Sequence, residues 1–300
     1  MKEQPLVTVI TITRNRAELI SRCIKSIQQQ TYNNIEHIIV DGASTDNTES
    51  VVESLNDGRI KYIKLSENLN IHDTYDVGLK NGTGKYVCLL DDDDEYLSTK
   101  IEKQVALIES LPQDYGFVYC WMAYYDNKSK KLLAEHKPSV RGYVLEEVVE
   151  KPVVSGTPTF FYKYEVFNEL FHDVRDTGLS SDWATGAKSC EKWKVDFVPE
   201  ILINVYVNHG SVRMSDDSKY YQDYESRRIK LSKYFLSTYH EIFEKYPKKS
   251  IPHLKSIAIS YFNIGEYKNA WPYYSKLLRL DFSIKNLMHP IVCFLKRIIK

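Results

Sequence analysis

An apolar run, Tyr86 to Leu90, stops abruptly in Asp91-Asp92-Asp93-Asp94-Glu95. Four to eight apolar residues that end this way read as a buried strand finishing at a sheet edge. The acids that follow are crowded, and each carboxylate opposes the ionisation of its neighbours. A fold that contains this segment needs a cation beside it. A hard divalent ion with oxygen ligands is the natural candidate, because Mg²⁺ takes one or two carboxylates together with substrate phosphates. The sequence therefore points to a metal-bridged phosphate ligand. An EF-hand does not fit. Asp91, Asp93, Glu95 and Glu102 fall at its first, third, fifth and twelfth positions, but Tyr96 stands where the loop requires glycine. Gly82-Thr83-Gly84-Lys85 is no phosphate loop either, since Tyr86 replaces the Ser/Thr, and it reads as a helix stop before a strand.

The residues around this segment alternate between two periods. Leu6 to Ile12 is rich in β-branched residues and predicts a strand. Ala17 to Gln30 places Leu19, Ile20, Cys23, Ile24 and Ile27 on one helical face, with Asn15 as a cap and Glu18 as its capping-box partner. Strands follow at Ile38–Val40, Ile60–Leu65 and Tyr86–Leu90, and helices at Glu49–Leu55, Ile71–Lys80 and Ser98–Ser110. Strand and helix in turn mean βαβ units and a mostly parallel sheet. Ligands of such sheets lie beyond the carboxyl ends of strands, where Asp41 and Asp91 stand. From Gly116 the pattern is mixed, with strands at Phe117–Tyr125 and Ile201–Val207. From about Lys219 it is helical: Tyr220–Tyr246, Ile251–Tyr261 and Lys268–Leu280. Gly265 to Ala270 resembles one helical-repeat hairpin, and a single copy makes no array.

At 300 residues the chain can bury a large core in one or two domains. Lys+Arg and Asp+Glu are both 40, so no overall charge favours nucleic acid as a partner. The five cysteines are scattered and read as reduced thiols of a cytoplasmic protein. The N-terminus shows no signal-peptide pattern, and no 18-residue apolar run exists to span a membrane. The stretch His289 to Lys300 is apolar with a basic end. It suits either peripheral contact with the inner face of an anionic membrane or packing on the domain. The 23 tyrosines read as ordinary half-buried residues or as stacking platforms.

Three segments together resemble the inverting glycosyltransferases of family 2, which have the GT-A fold. They are Val7 to Arg16, Ile39 to Thr48 with its Asp41-Gly42-Ala43-Ser44-Thr45-Asp46, and Leu90 to Asp94. Ile71-His72-Asp73, Gly78 and Thr83 to Tyr86 fit between them. The resemblance implies a GT-A, Rossmann-like α/β fold: a mixed, mostly parallel sheet flanked by helices. It implies a catalytic domain over residues 1–213, with a nucleotide-sugar half at about 1–115 and an acceptor half at about 116–213, followed by a helical region over 214–300. The donor would be a nucleoside-diphosphate sugar, with UDP the expected nucleotide. The acceptor would be a glycan or a lipid-linked sugar of a bacterial surface polysaccharide, and the cofactor Mn²⁺ or Mg²⁺.

By the same resemblance Thr11, Thr13, Arg14, Asp41, Ser44, Asp73, Asp91 and Asp92 contact the nucleotide sugar, and Asp93 and His209 hold the metal. Asp182, in Ser180-Ser181-Asp182-Trp183, takes the proton from the attacking acceptor hydroxyl. Each has a plainer alternative: Asp182 as a helix N-cap, Ser44 or Asp46 as a cap, Arg14 as a solvated arginine, His209 as a structural histidine. Asp173 and Asp176 are other candidate bases, Arg213 a candidate diphosphate contact, and Gly156 to Thr159 a candidate edge of the acceptor pocket. Two departures from the family pattern stand out: Gly42 replaces a frequent second acid, and Arg14 a frequent aromatic. A nucleotidyltransferase and a non-catalytic sugar-nucleotide-binding scaffold are the alternatives to a transferase.

Overall fold

The computed structural model describes residues 4–177, 181–210 and 218–283. In chain order the first part runs β1 (Val7–Thr13), α1 (Ala17–Gln28), β2 (Ile35–Asp41), α2 (Thr48–Ser54), β3 (Ile60–Lys64), α3 (Ile71–Lys80), β4 (Tyr86–Leu89), β5 (Glu95–Tyr96) and α4 (Lys100–Ser110). There follow β6 (Tyr115–Asp126), β7 (Leu132–His136), α5 (Leu145–Glu150), β8 (Phe161–Lys163), α6 (Tyr164–Thr177), α7 (Asp182–Lys192) and β9 (Lys194–Val207). The last described elements are α8 (Ser218–Thr238), α9 (His240–Lys245), α10 (Ile251–Ile264) and α11 (Tyr267–Leu280).

The described strands join in one mixed sheet, ordered β3-β2-β1-β4-β8-β6-β9-β5, with β7 added on β6. Its first half is the parallel βαβ arrangement expected: β1 pairs in parallel with β2 and β4, and β2 with β3. The second half is mixed, because β8 is antiparallel to both neighbours while β6 and β9 run parallel. The helical face expected on α1 is buried: Ile20 and Ile24 are fully covered against Ile39 and Val52. Each such aliphatic side chain contributes about 1.5–3 kcal/mol. From the same face, Cys23 and Ile27 join a larger core with Val7, Val9, Cys88 and Ile101.

Three details differ from the expected elements. β5 and β7 are too short or too exposed to show a two-residue apolar period. The single helix expected over Tyr220–Tyr246 is two, because Tyr239, with φ −108° and ψ 32°, leaves helical geometry. Asn15 does not cap α1. It is left-handed (φ 52°), and its side chain accepts from the Thr45 N–H at 2.8 Å.

The chain divides into two compact units, Met1–Val144 with Val153–Ser211, and Leu145–Pro152 with Val212–Lys300. The second unit takes α5 from the middle of the chain. There the buried His253 places Nε2 2.6 Å from the Val149 carbonyl, beside a core of Leu254, Ala258, Tyr274 and Leu277. Among the described residues, no helix is long and apolar enough to cross a membrane.

Candidate active site

The carboxyl ends of β1, β2 and β4 converge because the parallel register aligns Thr13 with Asp41 and Ile10 with Leu89. Asp41 is fully buried. One of its oxygens accepts from the Ser44 N–H at 2.7 Å, and the other from the Tyr62 hydroxyl. Ser44 Oγ in turn accepts from the Asn15 N–H at 2.8 Å, so Asp41 braces the loop that laces β1 to β2. Asp46 is the cap. Its Oδ1 accepts from the Thr48 N–H at 3.0 Å and its Oδ2 from the Ala17 N–H at 3.2 Å, so one carboxylate serves the first turns of α1 and α2. At Gly42 a Cβ would lie 3.0 Å from Asn68 Oδ1, so the Asn68 amide stands where a second acid's side chain would begin.

The acid run divides in two. Asp94 accepts from the Tyr206 N–H at 3.0 Å, and Glu95 from Tyr206 Oη and Asn204 Nδ2 at 3.0 Å each, so both turn to β9. Asp91, Asp92 and Asp93 stay together. Thr13 Oγ1 donates to Asp92 at 2.7 Å, and Tyr75 Oη approaches Asp91 at 3.4 Å. Burial, then the charges of Asp93, Asp182 and Asp92, push the Asp91 carboxyl up to about 7. Burial pushes Asp92 up to about 6 although Arg16 opposes the shift. The cation demanded by the sequence has an internal counterpart. Arg16 Nη1 lies 2.9 Å from Asp93 Oδ2 and 3.4 Å from Asp92 Oδ1, and His209 Nε2 lies 3.0 Å from the same Asp93 oxygen. Arg22 completes the surround by donating to the Asp93 carbonyl.

Asp182 opens α7 and is exposed. Thr157 holds both of its oxygens, through its N–H at 3.1 Å and its hydroxyl at 2.5 Å. The charge of Asp182 helps push up the Asp91 carboxyl and the Tyr75 phenol, so Asp182 lies within electrostatic reach of the acid run. α7 reaches this position because Gly186 packs against backbone: a Cβ there would be 2.1 Å from the Val154 carbonyl oxygen.

The family model named Glycosyl transferase family 2 matches residues 8–171. The chain belongs to glycosyl transferase family 2. This glycosyltransferase is 28% identical over 264 residues to WcaA of Escherichia coli (strain K12), a glycosyl transferase assigned to colanic acid biosynthesis, covering 82% of this chain and 91% of that one. It is 37% identical over 133 residues to a GalNAc(5)-diNAcBac-PP-undecaprenol β-1,3-glucosyltransferase of Campylobacter jejuni, covering 42% of each chain. The chain spans less than half the length of several curated relatives it matches. Among solved structures, Staphylococcus aureus TarS 1–349 in complex with UDP-GlcNAc superposes with a TM-score of 0.68 at 16% identity, over 96% of this chain and 88% of that one. A Pyrobaculum calidifontis mannosyltransferase in complex with GDP-Man and Mn²⁺ gives a TM-score of 0.53 at 19% identity, over 95% and 78%. The fold is GT-A.

Not every residue expected at the site of this glycosyltransferase is brought to it. Thr11 is fully buried behind Thr13, bonded to His37 Nε2 at 3.0 Å and 3.5 Å from Cys23 Sγ, so its hydroxyl belongs to the interior. Asp73 is tied up at the start of α3, where its N–H donates to Asn70 Oδ1 at 3.0 Å and its carboxylate accepts from Asn70 Nδ2 at 2.6 Å. Arg14 is exposed beside Gly42. Arg213, the side chains of Asp173 and Asp176, and residues 289–300 lie outside the described residues. Arg16, Arg22, Tyr75 and Asn68 received no role from the sequence, and Thr157, expected at the edge of the acceptor pocket, was not expected to hold Asp182. Of those without a role, only Arg16 carried a local signal, as a second basic residue in the turn after β1.

A divalent cation fits this site. Among the described residues no three ligating side chains form a ready-made cage. Asp93 and His209 nevertheless offer one oxygen and one nitrogen 3.0 Å apart. One or two protein ligands are the usual share for a cation that also takes diphosphate oxygens and water.

Proposed function

We propose that this glycosyltransferase moves a sugar from a UDP-sugar to a hydroxyl of a glycan or lipid-linked acceptor, with inversion at the anomeric carbon and with a divalent cation as cofactor. The observation that supports the reading is that Asp182, clamped by Thr157, is close enough to the acid run for its charge to act on Asp91. Asp182 accepts the proton of the acceptor hydroxyl as that oxygen attacks. Asp93 and His209 would hold the cation, which when bound would offset charge on the diphosphate leaving group. Asp41 and Thr13 brace the floor on which the nucleotide rests.

Two observations favour uracil as the base. TarS is a fold relative with UDP-GlcNAc bound. The Asn68 amide beside Gly42 offers one donor and one acceptor group, which suits the N–H and carbonyl edge of uracil; the adjacent donors of guanine are better met by a carboxylate. An acceptor in bacterial polysaccharide synthesis is supported by the likeness to WcaA. A lipid diphosphate carrier is supported by the likeness to the Campylobacter enzyme and to a diphosphoundecaprenol glucosyltransferase of E. coli, WfaP. Such an acceptor places the protein at the inner face of the plasma membrane.

Thermal-shift screening of UDP-, GDP- and dTDP-sugars with and without Mn²⁺ tests the donor, because a ligand of the folded state raises apparent stability. UDP-sugars should raise Tm, and more so with Mn²⁺. A larger shift with a GDP-sugar, or one indifferent to metal, overturns the donor or the cofactor respectively.

A further inference from the structure

We infer that the β6–β7 hairpin is a docking element for an anionic lipid leaflet. Its turn carries Lys128, Lys130 and Lys131, all exposed. Leu132 and Leu133, the first residues of β7, are 45% and 51% exposed, although large apolar residues of this unit are otherwise mostly buried. The nearby carboxylate of Asp126 offsets only one of the three lysine charges, so the turn keeps a positive excess. It accepts from the Ser129 N–H at 2.7 Å and from Asn208 Nδ2 at 2.8 Å. Among the described residues none of the three lysines pairs with a carboxylate, and Lys130 instead reaches Asn127 Oδ1 at 3.3 Å.

Lysine on a sheet edge can simply guard against strand addition. Here, however, the lysines lie in the turn, and the edge strand itself opens with two exposed leucines, which a guarded edge would not display. Basic charge next to exposed aliphatic surface matches the two parts of an anionic leaflet, headgroup and acyl chain.

The hairpin is also fastened to the catalytic end of the sheet. The Asn127 N–H donates to the Val207 carbonyl at 2.7 Å, and Arg22 Nη1 donates to Asn127 Oδ1 at 2.9 Å. The same Arg22 donates to the Asp93 carbonyl, and Asn208, bonded to Asp126, directly precedes His209. A leaflet that meets this turn therefore lies beside the acid run. This surface is distinct from the C-terminal segment 289–300 and does not depend on the identity of the donor sugar.

Co-sedimentation of the full chain with phosphatidylcholine vesicles, and with vesicles of one part phosphatidylglycerol to two parts phosphatidylcholine, tests the inference. The wild type should pellet with the anionic vesicles at low salt, stay in the supernatant with the neutral ones, and release at high salt. Lys128→Gln/Lys131→Gln should lower partitioning at least about tenfold, and Leu132→Ser/Leu133→Ser should also release the protein, with Tm and Mn²⁺–UDP binding unchanged in both. Wild-type protein that stays in the supernatant at low salt overturns the inference. So does hairpin-variant protein that pellets like wild type, including the case in which deletion of residues 290–300 alone releases it. Release from the vesicles by millimolar inorganic phosphate would show a soluble-phosphate site instead, and also overturns it.

Discussion

Arg16 Nη1 lies 2.9 Å from Asp93 Oδ2, the oxygen that His209 Nε2 also approaches at 3.0 Å. Arg16 and Asp93 are 77 residues apart in the chain, one in the turn after β1 and the other in the acid run after β4. The pair shows how the sheet supplies, from within the chain, part of the positive charge that the crowded carboxylates require. It also places that charge on the Asp93 oxygen that His209 approaches, the oxygen proposed above as a metal ligand.

The metal assignment rests on Asp93. Asp93→Ala should abolish sugar transfer and the Mn²⁺-dependent part of UDP binding, while circular dichroism and the β-rich core remain as in wild type. Calorimetric titration of UDP with and without Mn²⁺ reads both effects. Transfer at the wild-type rate would refute the assignment.

Asp182→Asn keeps the shape of the side chain and removes its ability to accept a proton. Turnover should fall about 10²–10⁴-fold, the usual weight of general base catalysis, with UDP affinity nearly unchanged. An equal loss of affinity and rate would move Asp182 to donor binding.

Arg16→Gln leaves Asp92 and Asp93 without their internal cation, and both partners are largely buried. Breaking such a pair costs about 3 kcal/mol, so Tm measured in EDTA should drop by several degrees. Mn²⁺ with UDP should raise the Tm of Arg16→Gln more than that of wild type, because the metal then replaces the missing charge. Equal increments would show that Arg16 acts elsewhere.

His37 gives a pH dependence remote from the acid run. Burial lowers its imidazole from the ordinary value to about 3. The folded protein therefore refuses a proton that the unfolded chain accepts near pH 6.5. The unfolded state binds more protons between those limits, so stability is complete above about pH 6.5 and is lost as pH falls toward 3. By pH 5 this amounts to about 2 kcal/mol. Replacing His37 with Gln should flatten this part of the Tm–pH curve, and an unchanged slope would assign the acid sensitivity to other groups.

Gly186→Ala should disturb the base without touching it. Its new methyl group would meet the Val154 carbonyl at 2.1 Å, so α7 must shift. Overpacking of this kind costs about 1–3 kcal/mol. Transfer should fall together with Tm, while Mn²⁺-dependent UDP binding, proposed to rely on Asp93 and His209, should persist.

The sequence by itself determined the parallel half of the sheet, the helices that cover it, the acid run at a strand end and the family. Each of these is written locally. Apolar residues recur at the period of the element they form, as in Leu19, Ile20, Cys23, Ile24 and Ile27, and charge breaks the pattern where the strand ends. Only the tertiary structure decided which groups meet at that end. Thr11 and Thr13 lie two residues apart on one strand, yet one is sealed in the interior and the other holds Asp92. Arg16 reaches Asp93, and Thr157 clamps Asp182, across 77 and 25 residues of chain. β5 and β8 pair over two residues at each interface, too few for any period to show. Such contacts depend on where the backbone returns after each crossover, which the register of the whole sheet fixes and no local window of residues contains.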